Sequence, residues 1–148
     1  MSNSQYSAKQ NYKIINLSLA GIILCIFIYS ALFSPKECNH PIPSFYTQIT
    51  NEISPSTGLS RSFSAIVRGN LQQALAFNPF GLQIFLFFAF QFIFRILSFS
   101  LINDKFQLIK PTILMDIILS LIGFYLAFRP LILFTLKLFQ KSIVNYGS

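Results

Sequence analysis

The stretch FGLQIFLFFAFQFIFRILSFSLI, residues 80–102, decides the fold of this chain. It carries a single charge, Arg95, seven residues before its end, and Gln83 and Gln91 interrupt it only mildly. Because roughly 20 apolar residues are enough to cross the hydrocarbon core of a bilayer, the stretch predicts a membrane-spanning helix.

Two further apolar stretches lie on either side of it. Residues 113–133 follow a short polar turn, and Pro111 stands where the first turn of a helix tolerates proline. Residues 14–33 carry no charge and follow a polar tail of residues 1–13. This first run exceeds the roughly 7–15 residues of a signal-peptide core and no Ala-x-Ala site closes it, so it predicts a retained helix.

The polar loop between the first two spans, residues 34–79, predicts one or two short interfacial helices. Prolines break its first part, and the segment 54–58 (SPSTG) is typical of a tight turn. Residues 59–68 and 71–77 favour short helices separated by Gly69-Asn70, with Asn70 as the amino-terminal cap of the second. The predicted fold is therefore all-α and integral to the membrane. It has three spans at residues 14–33, 80–102 and 113–133, and polar tails at residues 1–13 and 140–148.

Composition supports this class of protein. The chain has 148 residues, enough for one domain, and it is 53% hydrophobic and 10% charged, against roughly 25% charged in soluble domains. The net charge of +7 arises from eleven bases and four acids. Since the bases are scattered singly, they suit helix ends and anionic lipid, and no nucleic-acid partner is predicted.

Signals for catalysis and for metal binding are weak. The single histidine, His40, lies two residues from Cys38, which leaves a zinc site short of its usual four ligands. Glu37 and Glu52 are interpreted as surface charges. No catalytic residue, metal site or cofactor is predicted.

Arg95 and Asp116 are predicted to form an intramembrane ion pair. They lie ten residues before and eleven residues after Lys105, in the turn between the second and third spans. Positions equidistant from the turn of an antiparallel hairpin lie at equal depth, and ionisable groups in hydrocarbon usually find a partner. The alternative is that each side chain reaches its own membrane surface.

The same counting places Arg129 level with Gly81 and Asn78, beside a loop that contains Arg61 and Arg68. The planar guanidinium suits phosphate and carboxylate groups, so Arg61, Arg68, Arg129 and Asn78 are a candidate site for an anionic lipid headgroup or an acidic partner. We expect Arg61 and Arg129 to approach each other and to bind either carbonyls of the 54–60 turn or an external anion. The alternative is that these arginines only anchor helix ends.

The order of these motifs resembles the small bacterial membrane proteins of the "domain of unknown function 2752" family. That family has a Cys-Pro-x-Cys-Gly-x-Thr-Arg motif, a Gly-Asp/Asn-x-x-x-Ala-Leu stretch, Asn-Pro before a spanning helix and a late arginine. The matching residues here are Pro55, Gly58, Arg61, Gly69, Ala74, Asn78, Pro79 and Arg129. Ser54, Thr57 and Ser60 replace the two cysteines and the threonine, so thiol or metal chemistry is not expected.

The resemblance implies an architecture and no activity. The predicted function is a non-enzymatic role in assembling a membrane complex or binding lipid through the arginines. The alternative is a membrane enzyme or transport subunit acting on an anionic or lipid-linked substrate. The expected location is the bacterial inner membrane with a cytoplasmic amino terminus. Homo-oligomerisation is left open, since the Phe-rich second span suits lipid and another subunit equally.

Overall fold

The computed structural model describes residues 3–35, 55–101 and 109–146, and these residues form helices and short turns, with no strand among them. In chain order the helices are α1 (Asn3–Leu32), α2 (Leu59–Val67), α3 (Leu71–Phe77), α4 (Gly81–Leu101) and α5 (Ile109–Tyr146). The sequence-based prediction of an all-α fold is confirmed.

Three of these helices are long and apolar enough to cross a membrane, by length and composition. The candidate spans are Tyr6–Leu32 in α1, Gly81–Ser100 in α4 and Ile113–Lys137 in α5. They contain the three predicted spans apart from residue 33 of the first and residues 80, 101 and 102 of the second, of which residue 102 lies outside the described residues.

Helices α4 and α5 pack side by side in a regular antiparallel register. Gln83 lies 22 residues before Lys105, and its Nε2 donates to the carbonyl of Ala127, 22 residues after it, at 2.9 Å. Phe87 and Gly123, each 18 residues from Lys105, also face each other. The equal-depth counting therefore holds along the described part of this pair, although Lys105 itself lies outside the described residues.

Helix α2 packs against both α1 and α4, and this explains its small residues. Ser62, Ser64 and Ala65 are buried, and a Cβ placed on Gly81 at the start of α4 would overlap the Ser62 hydroxyl. Phe63 meets the ring of Phe85 edge-on at 5.3 Å. Small residues let the helix backbones approach closely, which is how helices pack where no hydrophobic effect drives them together.

The polar residues at both ends of the chain continue the long helices. Helix α1 begins at Asn3 and α5 continues to Tyr146, so residues 3–13 and 140–146 are helical. The polar residues before Tyr12 include no glycine or proline to stop a helix, and the next glycine after Pro130 is Gly147. Pro130 is accommodated within α5.

The two short helices follow the sequence prediction closely. Helix α2 ends at Val67, and Asn70 accepts a hydrogen bond from the backbone N–H of Gln73 at 3.0 Å as the amino-terminal cap of α3. Asn70 Nδ2 also donates to the Gln73 side chain at 3.2 Å. That this helical pair lies along a membrane surface stays a prediction.

Candidate functional site: a cap and a buried ionic network

Two polar regions lie at opposite ends of the three long helices. We call the first the cap: residues 55–81 together with Pro35, where α1 ends and α4 begins. We call the second the ionic network: Tyr12, Asn16, Gln91, Arg95, Asp116 and Ser120, from α1, α4 and α5. Each region contains residues that sequence analysis selected.

Asn78 holds the motif turn of the cap. Its Nδ2 donates to the carbonyls of Pro55 at 2.8 Å and Thr57 at 2.9 Å, and its Oδ1 accepts from the N–H of Phe80 at 2.8 Å. The side chain is buried, and these bonds use both of its N–H donors. In the described part of the turn, Asn78 therefore makes the carbonyl contacts that had been expected of Arg61 and Arg129.

Gly58 closes the same turn for two physical reasons. Its φ of 76° lies in the left-handed region that side chains disfavour. A Cβ at this position would also overlap the carbonyl oxygen of Phe77 at the end of α3. The turn of Pro55, Thr57 and Gly58 thus packs directly on the residue that precedes Asn78. Ser60 is half-buried in the first turn of α2, and Ser54 lies outside the described residues.

Arg68 is committed to backbone carbonyls. Its Nη1 donates to Ser64 at 2.9 Å and Ser30 at 3.2 Å, and its Nη2 donates to Ala31 at 2.9 Å. Ser30 and Ala31 lie in the last turn of α1, whose carbonyls have no partner within the helix. Arg68 therefore ties α2 to the end of α1, and its positive charge suits the negative end of the helix dipole.

Arg61 is held in a different way. Its Nε donates to the Pro35 carbonyl at 3.2 Å, and its guanidinium carbon lies 4.5 Å from the centroid of the Phe77 ring. This contact places the guanidinium over the face of the ring, where cation and ring attract each other. The two Nη groups donate to no residue that the structure describes.

Arg129 lies apart from this arrangement. It is exposed on α5, which packs on α4, and it forms no hydrogen bond or ion pair within the described ranges. The contact between Gln83 and Ala127 puts Arg129 near the level of Gly81, as the counting predicted. Its level is therefore that of the cap, but the contacts of the cap are made by Arg61 and Arg68.

Arg95 and Asp116 form the ion pair at the centre of the ionic network. Arg95 is 9% exposed and Asp116 is 2% exposed. Arg95 Nη1 also donates to Asn16 Oδ1 at 2.9 Å, and its Nη2 donates to Gln91 Oε1 at 3.1 Å and Ser120 Oγ at 2.9 Å. Four of the five guanidinium N–H donors are thereby used, which is the condition for keeping a charge away from water.

The contribution of α1 to this network was missed by sequence analysis. The Tyr12 hydroxyl donates to Asp116 Oδ2 at 2.7 Å, and both Tyr12 and Asn16 are buried. A signal was present, because Tyr12 and Asn16 are four residues apart and share one helix face. It could be recognised only if α1 was known to begin before Tyr12.

The other sequence candidates concern metal binding and acidic residues of the polar loop. No group of three or more metal-ligating side chains occurs among the described residues. Glu37, Cys38, His40 and Glu52 lie outside them.

Comparison with known proteins supports the family resemblance over part of the chain. Residues 46–92 match the family model described as "Protein of unknown function (DUF2752)". The matched stretch contains the whole motif turn, α2 and α3, and it ends before Arg95. No curated protein and no solved structure matches the chain.

Proposed function

We propose that this chain has a non-enzymatic role in the membrane, in which the cap binds the phosphate of an anionic lipid through Arg61. The observation that carries the proposal is that the two Nη groups of Arg61 bind no residue that the structure describes. Phe77 and the Pro35 carbonyl already hold the guanidinium in place. Ligand binding would therefore cost little conformational entropy of the Arg61 side chain.

Comparison with Arg68 supports the choice of Arg61. Among the described residues, Arg68 donates three hydrogen bonds to carbonyls, whereas Arg61 donates one. Two parallel N–H groups match the oxygens of a phosphate, and such charge-assisted bonds are about twice as strong as neutral ones. Arg68 and Asn78 are assigned to shaping the cap.

Exposed apolar residues on α3, the helix that carries Phe77, favour a lipid over a soluble anion. Leu71 and Leu75 lie one turn apart on α3 and are 49% and 48% exposed, and Phe77 follows on the same helix. Exposed apolar residues next to a cation are typical of a helix at the boundary of headgroups and acyl chains.

Native mass spectrometry of the purified chain in detergent tests this proposal. Wild type should retain phosphatidylglycerol over phosphatidylcholine, and Arg61→Lys should weaken that retention about tenfold, because lysine keeps the charge and loses the fork. Lys137→Gln is the control, since it removes an exposed cation from α5 and leaves the Arg61 guanidinium unchanged. Equal retention by wild type and Arg61→Lys would contradict the proposal. Turnover of the lipid by the pure protein would instead support the alternative enzyme.

We further propose that the amino terminus is cytoplasmic in a bacterial inner membrane. Lys9 and Lys13 lie at the amino end of α1, and cytoplasmic flanks are enriched in lysine and arginine. The cap would then face the opposite side. Labelling by a membrane-impermeant thiol reagent of a cysteine placed at exposed Gln72 in intact cells should succeed, and labelling of one at Gln10 should fail.

A further inference from the structure

Helix α5 is the least covered of the three candidate spans. In its most apolar stretch 6% of residues are buried, against 22% in each of the other two spans, and among the described helices it packs on α4. Its outer face is defined here by Leu114, Ile118, Leu121, Tyr125, Arg129 and Leu136, all of them exposed.

Two polar side chains on this face distinguish it from a surface made only for lipid tails. Tyr125 is 55% exposed at the middle of its candidate span, and Arg129 follows one turn later on the same side. Neither forms a hydrogen bond with any residue in the described ranges. Apolar side chains give no preference for a helix over lipid, whereas polar groups do, because they bind across helices.

The charge of Arg129 decides which helix would fit. In a two-fold symmetric, parallel pair of α5 helices, Arg129 would meet Arg129, so a second copy is disfavoured. Asp116, the acid that the structure describes, is already bound to Arg95 and Tyr12. A carboxylate from another protein would match both the charge and the planar shape of the guanidinium.

We propose that the outer face of α5 binds a membrane-spanning helix of another protein, one that carries a carboxylate level with Arg129. The carboxylate accepts hydrogen bonds from Arg129, and the Tyr125 hydroxyl donates to a backbone or side-chain oxygen of the same helix. This surface is separate from the Arg61 site, so the two proposals stand or fall independently.

A pair of synthetic helices tests the proposal with the full-length chain in phosphatidylcholine vesicles. The peptides are 24-residue Leu/Ala helices that differ in one residue, Glu or Gln, four residues from one end. Energy transfer between labelled peptide and labelled protein reports association. Wild type should bind the Glu peptide about tenfold more tightly than the Gln peptide, and Arg129→Leu should abolish the difference. Lys137→Gln should retain it.

Three outcomes would overturn the proposal. The first is equal binding of both peptides by wild type, and the second is discrimination that survives Arg129→Leu. The third is loss of discrimination when phosphatidylglycerol replaces a quarter of the lipid, since this would make a lipid headgroup the occupant. None of these outcomes depends on Arg61, so phosphatidylglycerol retention at the cap can still be judged separately.

Discussion

The ionic network and the cap both contain arginines near the ends of apolar helices, but the two regions offer these arginines different kinds of hydrogen-bond acceptor. In the network, Arg95 binds only side chains, drawn from three helices. In the cap, the described partners of Arg68 are all backbone carbonyls, and those of Arg61 are one carbonyl and one ring. The network therefore depends on which side chains stand at the partner positions, whereas the cap depends on where the backbone places its carbonyl groups.

The family match covers the cap but not the central ion pair of the network. The matched residues 46–92 include Gly58, Asn78 and both cap arginines, but they exclude Arg95 and Asp116. A backbone-directed cap needs a particular turn, and a turn is set by a few glycine, proline and asparagine residues at fixed spacing. The family signature thus describes a way of folding the chain at one end of the bundle.

The largest effect should come from breaking the network at Asp116. Asp116→Ala leaves Arg95 charged and buried, so we expect a loss of about 3 kcal/mol in the free energy of unfolding, at the lower end for broken buried pairs. The double variant Arg95→Leu/Asp116→Leu should lose less, because no charge remains buried. Denaturant titration in detergent measures both. A double variant less stable than Asp116→Ala would show that the pair stabilises the bundle beyond neutralising its own charges.

Much of the network and the cap could be predicted from the sequence, and the limits have physical causes. Counting from the turn paired Arg95 with Asp116, because an antiparallel hairpin fixes depth. Counting could not predict that Tyr12 joins the network, since contact with α1 depends on how that helix is rotated and where it begins. Counting also could not predict the partners of Arg61 and Arg68. Every residue has a backbone carbonyl, and only the folded chain decides which carbonyls lack a partner and lie within reach of an arginine.

In the cap, two glycines permit a matched test of the close approach. Gly58 and Gly69 both have a φ of 76°, but only Gly58 faces a neighbour that a Cβ would overlap, and Gly69 faces open space. Gly69→Ala should cost about 1 kcal/mol from left-handed backbone strain alone. Gly58→Ala should cost at least about 1 kcal/mol more, since the backbone of Phe77 must move. If thermal unfolding shows equal losses of stability for the two variants, α3 can move aside at little cost and the cap is not tightly packed.

The smallest effect tests whether α1 is held to the network by its hydrogen bond to Asp116. Tyr12→Phe keeps the buried ring and removes the hydroxyl that donates to Asp116 Oδ2. Asp116 keeps Arg95 and Ser120 as donors, so its charge stays neutralised and the loss should be about 0.6–1 kcal/mol. Tyr125→Phe is the matched control: that hydroxyl bonds to no described residue, so the purified chain should unfold unchanged. A loss of 2 kcal/mol or more (roughly thirtyfold in the unfolding constant) for Tyr12→Phe would mean that the hydroxyl, and not Arg95, is the main partner of Asp116. No loss at all would mean that the Tyr12 hydroxyl does not help to hold α1, which would then be positioned by the bond between Asn16 and Arg95 and by its packing on α4.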